Sequence, residues 1–558
     1  MKKKQMNKGI TLIALVITVI VLLILAGVTI ATLTGDNGIL TRAQEAKEKT
    51  EEATKREEAE LADLNSYIDN NGAPIYDTET GANNPVLSSG MIPVKYDTEK
   101  GKWVICSSTD TDWYDYSEDK KQWANVMLSD GKYYASGADV DTTNKTLATA
   151  GTIVEEEDLG SMFVWIPRYA YKITSGYHSN LGSLDVIWVS GKGYAYADSE
   201  GNIKEVKNGN EDGVITSSGY TDYVVHPAFT DGNKYGFNNG EWKSEITGIW
   251  IAKFQAGIVT TENDITQKVQ NSTSANNYYY PIFKGKKFAY NYVTASQCYD
   301  LSLSLDDSGN PYGIDSTSNS HLMKSSEWGA VAYLSISKYG YSEGSSDKEK
   351  AKNNLSVVSN SNYISSPVAN PNKSSWKITA ITGYSATTGK ASENVMTYST
   401  TDDLKDEVTG TNGTSYAWNN CNANSDSGSG TLSSATGNIY GIYDMGGCLT
   451  DYIASYVNAE GVTNLMTYGG SFATGASTYL ATAYPYNPVE TDNKDFNSGY
   501  NGTGWDKIFG DAIWETSSGT GNKKAWFSQT IEEDSRLNEV FIPRGGSWKY
   551  NLSRIVWC

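Results

Sequence analysis

Histidine is almost missing from this chain of 558 residues: His178, His226 and His321 are the three present, and they are too scattered to form a metal-ligand signature. Cysteine is also scarce. The five (Cys106, Cys298, Cys421, Cys448, Cys558) include no C-x-x-C pair, and their odd number and wide spacing do not suggest a disulfide scaffold. One pair could form outside a cell, but the sequence does not choose it. Basic charge is in deficit, with 45 Lys and Arg against 65 Asp and Glu and a net charge of −20, which argues against nucleic acid as a partner. No repeat at solenoid period is visible. Proline is sparse, at 12.

Glycine and tyrosine are abundant, at 53 and 39. With asparagine and serine they point to β structure with many loops. The same residues suit a recognition surface: Tyr supplies large contact area at low entropy cost, and Ser, Asn and Gly adapt their hydrogen bonds. The plainer reading is an extracellular β protein whose acidic surface keeps it soluble. Length suggests three or more domains, fewer if insertions are long.

The N-terminus is polar and basic over residues 1–9, with four lysines and no acid, and is followed at residues 10–34 by ITLIALVITVIVLLILAGVTIATLT, which carries no charge. As a helix that run would reach roughly 37 Å, enough to cross a bilayer core. The lysines favour a cytoplasmic N-terminus and place the remainder outside. A secretory signal has a shorter apolar run followed by a small-residue cleavage site; here the small residue, Gly9, comes first. The stretch KGITLIALV resembles the type IV prepilins and pseudopilins. That resemblance implies a prepilin peptidase cutting between Gly9 and Ile10 and methylating Ile10. Ala14 stands where that family usually has glutamate, which weighs against a major fibre subunit.

The turn signal GDNG at residues 35–38 precedes a charged helix through residue 69, with Glu45–Lys49, Glu51–Lys55 and Glu52–Arg56 in the favourable i,i+4 order. It reads as a solvated stalk. Residues 70–150 read as a linker and a small β-rich unit with hairpins, GMIPVKYDTEKGKWVICSS among them. Beyond 150, SMFVWIPRYAYKI and TGIWIAKFQAGI read as buried strands, and TASQCYDLSLSL and HLMKSSEWGAVAYLSISKYG as amphipathic helices.

Three segments then carry a second resemblance: HLMKSSEWGAVAY with Glu327 and Trp328, NIYGIYDMGG with Asp444, and RGGSW with Gly545 and Gly546. In this order they resemble the formylglycine-generating-enzyme-like branch of the C-type lectin fold, over residues 151–558. The expected architecture is therefore α+β: a transmembrane and stalk helix, a small β-rich unit, and a C-type-lectin-like domain with long loops.

The resemblance implies chemistry that the residues do not supply. Catalytic members of that branch place two cysteines shortly after the RGGS segment; here those positions hold Tyr550 and Ile555, and Cys558 is out of register. The family loop GN-x-WEW, which offers calcium oxygens, reads GCLTDY here, with Cys448, Asp451 and Tyr452 substituted. No catalytic residue, metal or cofactor is assigned. Non-catalytic members, including retroelement-diversified receptors, bind ligands through the stretch after RGGSW. That assigns Trp548, Lys549, Tyr550, Asn551, Ser553 and Arg554 to recognition, and an Arg-and-aromatic composition suits it. The expected protein is a bacterial, surface-displayed, pilin-like anchored adhesin or receptor. Its partners are the membrane, the prepilin peptidase, other pilin subunits and a protein or glycan ligand. The alternatives are a structural pilin or pseudopilin of a pilus, secretion or competence system, and an oxidase of the formylglycine-generating type.

Overall fold

The computed structural model describes residues 16–20, 47, 75–177, 182–197, 203–207, 215–216, 218–231, 242–258, 280–290, 295–341, 368–369, 382–386, 396–397, 407–410, 413–419, 431, 434–446, 448, 450–458, 480–485, 509–513, 515–516, 544 and 553–555. The chain divides into two compact units, Met1–Ala73 and Pro74–Cys558.

The expected α+β architecture is overturned. The described elements are mostly strands, and the α-helices described in the second unit are only 9 and 11 residues long. Among the described residues no helix is long and apolar enough to cross a membrane. Within the run at 10–34, only residues 16–20 are described, and they are helical. Leader residues 1–9, with Gly9, and the first residue of the run, Ile10, lie outside the described residues, as does nearly all of the stalk segment. The physical reason for the strand-rich outcome is composition: Tyr, Trp, Val and Ile favour the pleated, half-buried surface of short strands.

In the second unit the hairpin expected at GMIPVKYDTEKGKWVI forms. Strand β1 (Ile92–Asp97) pairs antiparallel with β2 (Lys102–Ile105), Asp97 facing Lys102. Asp97 closes the turn by accepting from the backbone of Glu99 and Lys100, and Gly101 takes φ +64, a value open to glycine at no steric cost. Further strands are β3 (Asn125–Met127), β4 (Ile153–Val154), β5 (Met162–Pro167), β6 (Tyr169–Ser175), β7 (Ser183–Trp188), β8 (Val224–Val225) and β9 (Gly248–Ala252). One six-stranded antiparallel sheet has the order β9-β5-β3-β1-β2-β4, so strands from 92–127 and from 162–252 share a sheet. A second sheet runs β8-β6-β7. Every residue of β5 is buried, as a continuous apolar run demands.

Helices α1 (Ala295–Leu303) and α2 (Ser325–Ser335) pack into the same core. α2 is buried along its whole length. Gly329 is required there: a Cβ would stand 1.9 Å from the Gly510 carbonyl oxygen. The core is aromatic, and three of its polar atoms find backbone partners: Trp113 Nε1 donates to Asn125 O (2.9 Å), Tyr116 Oη to Trp165 O (2.9 Å) and Trp165 Nε1 to Asn83 O (3.0 Å).

One cation is built into this interior. Lys253, just past β9, is fully buried, and its Nζ donates to Asn125 Oδ1 (2.8 Å), Ile439 O (2.7 Å) and Gly441 O (2.8 Å). Burial drives its pKa well below the ordinary lysine value. Opposing that are the three oxygens and the Trp103 and Tyr443 rings, 5.5 and 5.4 Å away. The amine ties the 439–441 loop to β3. Lys253→Met keeps the volume and leaves three buried acceptors unpaired, each costing about 1–3 kcal/mol before relaxation. The expected loss is about 3 kcal/mol, measured by urea unfolding of the full chain; an unchanged midpoint would show that the ammonium carries no net weight.

Candidate functional site

Helix α2 starts at a charged cluster. Lys324 is the N-cap, and its backbone N–H donates to Glu327 Oε2 (2.7 Å), the reciprocal bond of a capping box. Lys324 Nζ lies 3.0 Å from Glu327 Oε1 without hydrogen-bond geometry, so the pair is ionic, and the ammonium sits 3.8 Å from the centre of the Trp242 ring. His321 Nε2 reaches Glu327 Oε1 (3.1 Å), and its Nδ1 contacts Asn319 O (2.7 Å). Burial of Glu327 opposes its ionisation, but the Lys324 ammonium, His321 and the Lys324 N–H outweigh it and hold the pKa at about 2.

The next residue, Trp328, carries the second contact. The Arg544 guanidinium lies 4.0 Å from its ring centre, and both side chains are fully buried. Arg544 Nη2 donates to Asp511 O (2.5 Å), and Nη1 reaches Ser325 Oγ at 3.5 Å.

Strand β10 (Thr450–Tyr452) follows the NIYGIYDMGG segment, then come β11 (Ser455–Asn458), β12 (Thr482–Pro485) and β13 (Ser553–Ile555). Asp451 exchanges both backbone bonds with Arg544 (2.9 and 3.0 Å), antiparallel. Along its other edge β10 pairs parallel with β13, Asp451 opposite Arg554. The side chain of Asp451 accepts from Gln255 Nε2, which also approaches Asp444 O at 3.3 Å. Burial pushes the Asp451 carboxyl well above the usual range, and neighbouring Asp444 adds to the effect. Asp444 adopts φ +59, a region Asp tolerates, and accepts from Gly383 N at 3.0 Å with both oxygens.

The helix and RGGSW segments thus meet at Arg544, and the NIYGIYDMGG segment approaches it through Asp451, four residues beyond its end. Of the residues expected at a site, Glu327, Trp328 and Asp444 are brought into this junction, buried and engaged with framework partners. Ser553 and Arg554 lie in β13. Gly545, Gly546, Trp548, Lys549, Tyr550 and Asn551, like Gly9 and Ile10, lie outside the described residues. His321, Lys324, Trp242, Gln255 and Asp511 were not anticipated. Lys324 stands three residues before Glu327, an i,i+3 opposite-charge spacing that could have found one of them; nothing local marks Trp242 or Asp511. Among the described residues no group of three or more His, Cys, Asp or Glu side chains is placed to hold a metal. Cys106, Cys298 and Cys448 are buried, and burial pushes the Cys106 thiol up to about 12.

No protein-family model matches the sequence, and no curated protein matches it either.

Removing one member of a buried ion pair strands the other, at about 3–5 kcal/mol. Glu327→Ala is expected to destabilise by that amount. Since the Glu327 pKa falls from 4.5 to about 2 on folding, its contribution is complete above pH 4.5 and is lost as pH drops toward 2. The stability gap between wild type and Glu327→Gln should therefore narrow between pH 5 and pH 2.5 in urea titrations. A gap independent of pH would contradict the ionic assignment.

Proposed function

We propose that the protein is a surface-displayed, non-catalytic ligand-binding protein, an adhesin or receptor, and that its recognition segment follows Arg544. One observation carries the proposal: Asp451 holds the chain at both ends of that segment. Arg544 is bonded to one edge of β10, antiparallel, and Ser553–Ile555 to the other, parallel. The chain therefore reverses direction between two anchors on one strand. Arg544 is fixed further by the Trp328 ring and by Asp511. A segment clamped at both ends on a buried framework is the usual arrangement for a binding loop, because the scaffold meets the ordering cost in advance.

The ionic groups of the junction support the same reading. Glu327, Lys324 and Arg544 are buried and spent on holding backbone and one another, so their role is positional. Trp548, Lys549, Tyr550, Asn551, Ser553 and Arg554 supply the ligand contacts in this proposal. The ligand is a protein or glycan, since a fold does not by itself choose between them. Prepilin-type processing at Gly9 and Ile10, and association with other pilin subunits, belong to the same proposal.

Full-length protein applied to glycan and surface-protein arrays should bind members of one class. Trp548→Ala with Tyr550→Ala should weaken that binding at least tenfold, about 1.4 kcal/mol or more, without altering the melting temperature. Absence of binding, or an unaffected double variant, overturns the assignment. Separately, mass spectrometry of the mature N-terminus should find methylated Ile10; an intact Met1 would remove the processing proposal.

A further inference from the structure

Residues 509–516 form a turn wedged beneath α2. Its described members, Phe509, Gly510, Asp511, Ala512, Ile513, Glu515 and Thr516, are all buried. The segment is bound to itself through Ile513 N to Asp511 Oδ1 (2.9 Å) and Thr516 Oγ1 to Ala512 O (2.8 Å). Gly510 takes φ +76 and lies against Pro227 and His226, and its carbonyl oxygen fills the space that a side chain at Gly329 would need.

Glu515 closes the turn from within. Its Oε2 accepts from Gly510 N (2.6 Å) and Tyr333 Oη (2.7 Å), and its Oε1 accepts from Tyr171 Oη (2.9 Å). These donors come from the segment itself, from α2 and from β6. Tyr220 stands beside Tyr171, ring centroids 5.9 Å apart, and its buried hydroxyl faces the same carboxyl. His226 lies against both Tyr171 and Tyr333, at 5.4 and 5.8 Å. Burial lowers its pKa to about 3, so it is neutral, and burial likewise keeps Tyr169, Tyr171, Tyr220 and Tyr333 un-ionised. Asp511 is the nearest other acid on the segment, and Arg544 reaches its carbonyl oxygen rather than Glu515. Among the described residues no cation pairs with Glu515.

We infer that Glu515 is a proton-operated latch: with its carboxyl protonated the segment 509–516 is seated beneath α2, and loss of the proton loosens it. The cluster has room for the extra hydrogen. A tyrosine hydroxyl both donates and accepts, so protonated Glu515 can donate to Tyr171 and Tyr171 in turn to the neighbouring Tyr220 hydroxyl. Ionised, the carboxylate keeps its three donors but sits in an apolar interior with no counter-charge, which burial penalises. Burial accordingly pushes the Glu515 pKa from 4.5 up to about 7, against the pull of Gly510 N and the tyrosines. The seated form thus binds more protons than the open form between those values, and its advantage shrinks as pH rises through that window. Loosening the segment also withdraws Asp511 from Arg544. The latch stands apart from the ligand-binding proposal, since its readout needs no ligand.

The test is amide exchange on the full chain, corrected for intrinsic exchange rates, from pH 5 to pH 8. The opening constant of amides in 509–516 should rise on the order of 50-fold across that range, while amides of β5 stay constant. Glu515→Gln, which mimics the neutral acid, should remove the dependence. Tyr333→Phe, which deletes a donor to the charged form, should move the midpoint to higher pH. A pH-independent opening constant in wild type, the same dependence in Glu515→Gln, or opening of 509–516 only together with β5 would each overturn the latch.

Discussion

The stack of Arg544 on Trp328 is the contact on which the second unit's C-terminal half depends. A guanidinium is weakly hydrated and always charged, so a tryptophan face can take the place of water around it. Once seated there, Arg544 has donors left for Asp511 O and a backbone left for Asp451. Helix α2, strand β10 and segment 509–516 are far apart in sequence, and each touches this one residue. A lysine in its place would offer no planar fork to bond Asp511 O from over the ring.

The same solution recurs across the unit. Its sheets are small beyond β9, several of them two-stranded, and two-stranded pairs have little stability of their own. Long connections are held instead by buried polar side chains that bond backbone. Lys253 holds two carbonyls of the 439–441 loop, and Asn83 Nδ2 holds Val189 O, Gly191 O and Thr247 O at 2.9–3.1 Å. Such networks are costly when half satisfied and specifying when complete. They explain how a chain rich in loops can keep one arrangement without a disulfide among its described cysteines.

Local pattern made some of this legible. The unbroken apolar run at 162–167 reads as a buried strand and is one, whereas HLMKSSEWGAVAYLSISKYG reads as an amphipathic helix and is helical only over Ser325–Ser335, buried on every face. The DTEKG turn announces its hairpin. What pattern could not supply was proportion: two true helices suggested an α+β whole, whereas they are short inserts among strands. It also could not pair Glu515 with Tyr171, which lies 344 residues away. No periodicity links them, because the contact depends on how three separate elements pack. Lysine within IWIAKFQAG, like arginine within SMFVWIPRYAYKI, was a local sign that an apolar stretch concealed a charge.

Glu327 and Glu515 lie on opposite ends of α2 in effect, and their environments separate them. Glu327 is buried beside a lysine and a histidine and is held ionised at about 2; Glu515 is equally buried beside tyrosines alone and is pushed up to about 7. Burial is the same and the partners differ, so the partners decide. At neutral pH the helix start is therefore locked by a permanent ion pair, while the contact near its end rests on a proton in exchange with solvent. The two carboxyls divide α2 into a fixed half, which carries Trp328 and the Arg544 stack, and a titratable half, which carries Tyr333. Any proton-dependent movement of 509–516 then reaches Arg544 from its Asp511 side while its Trp328 side stays in place.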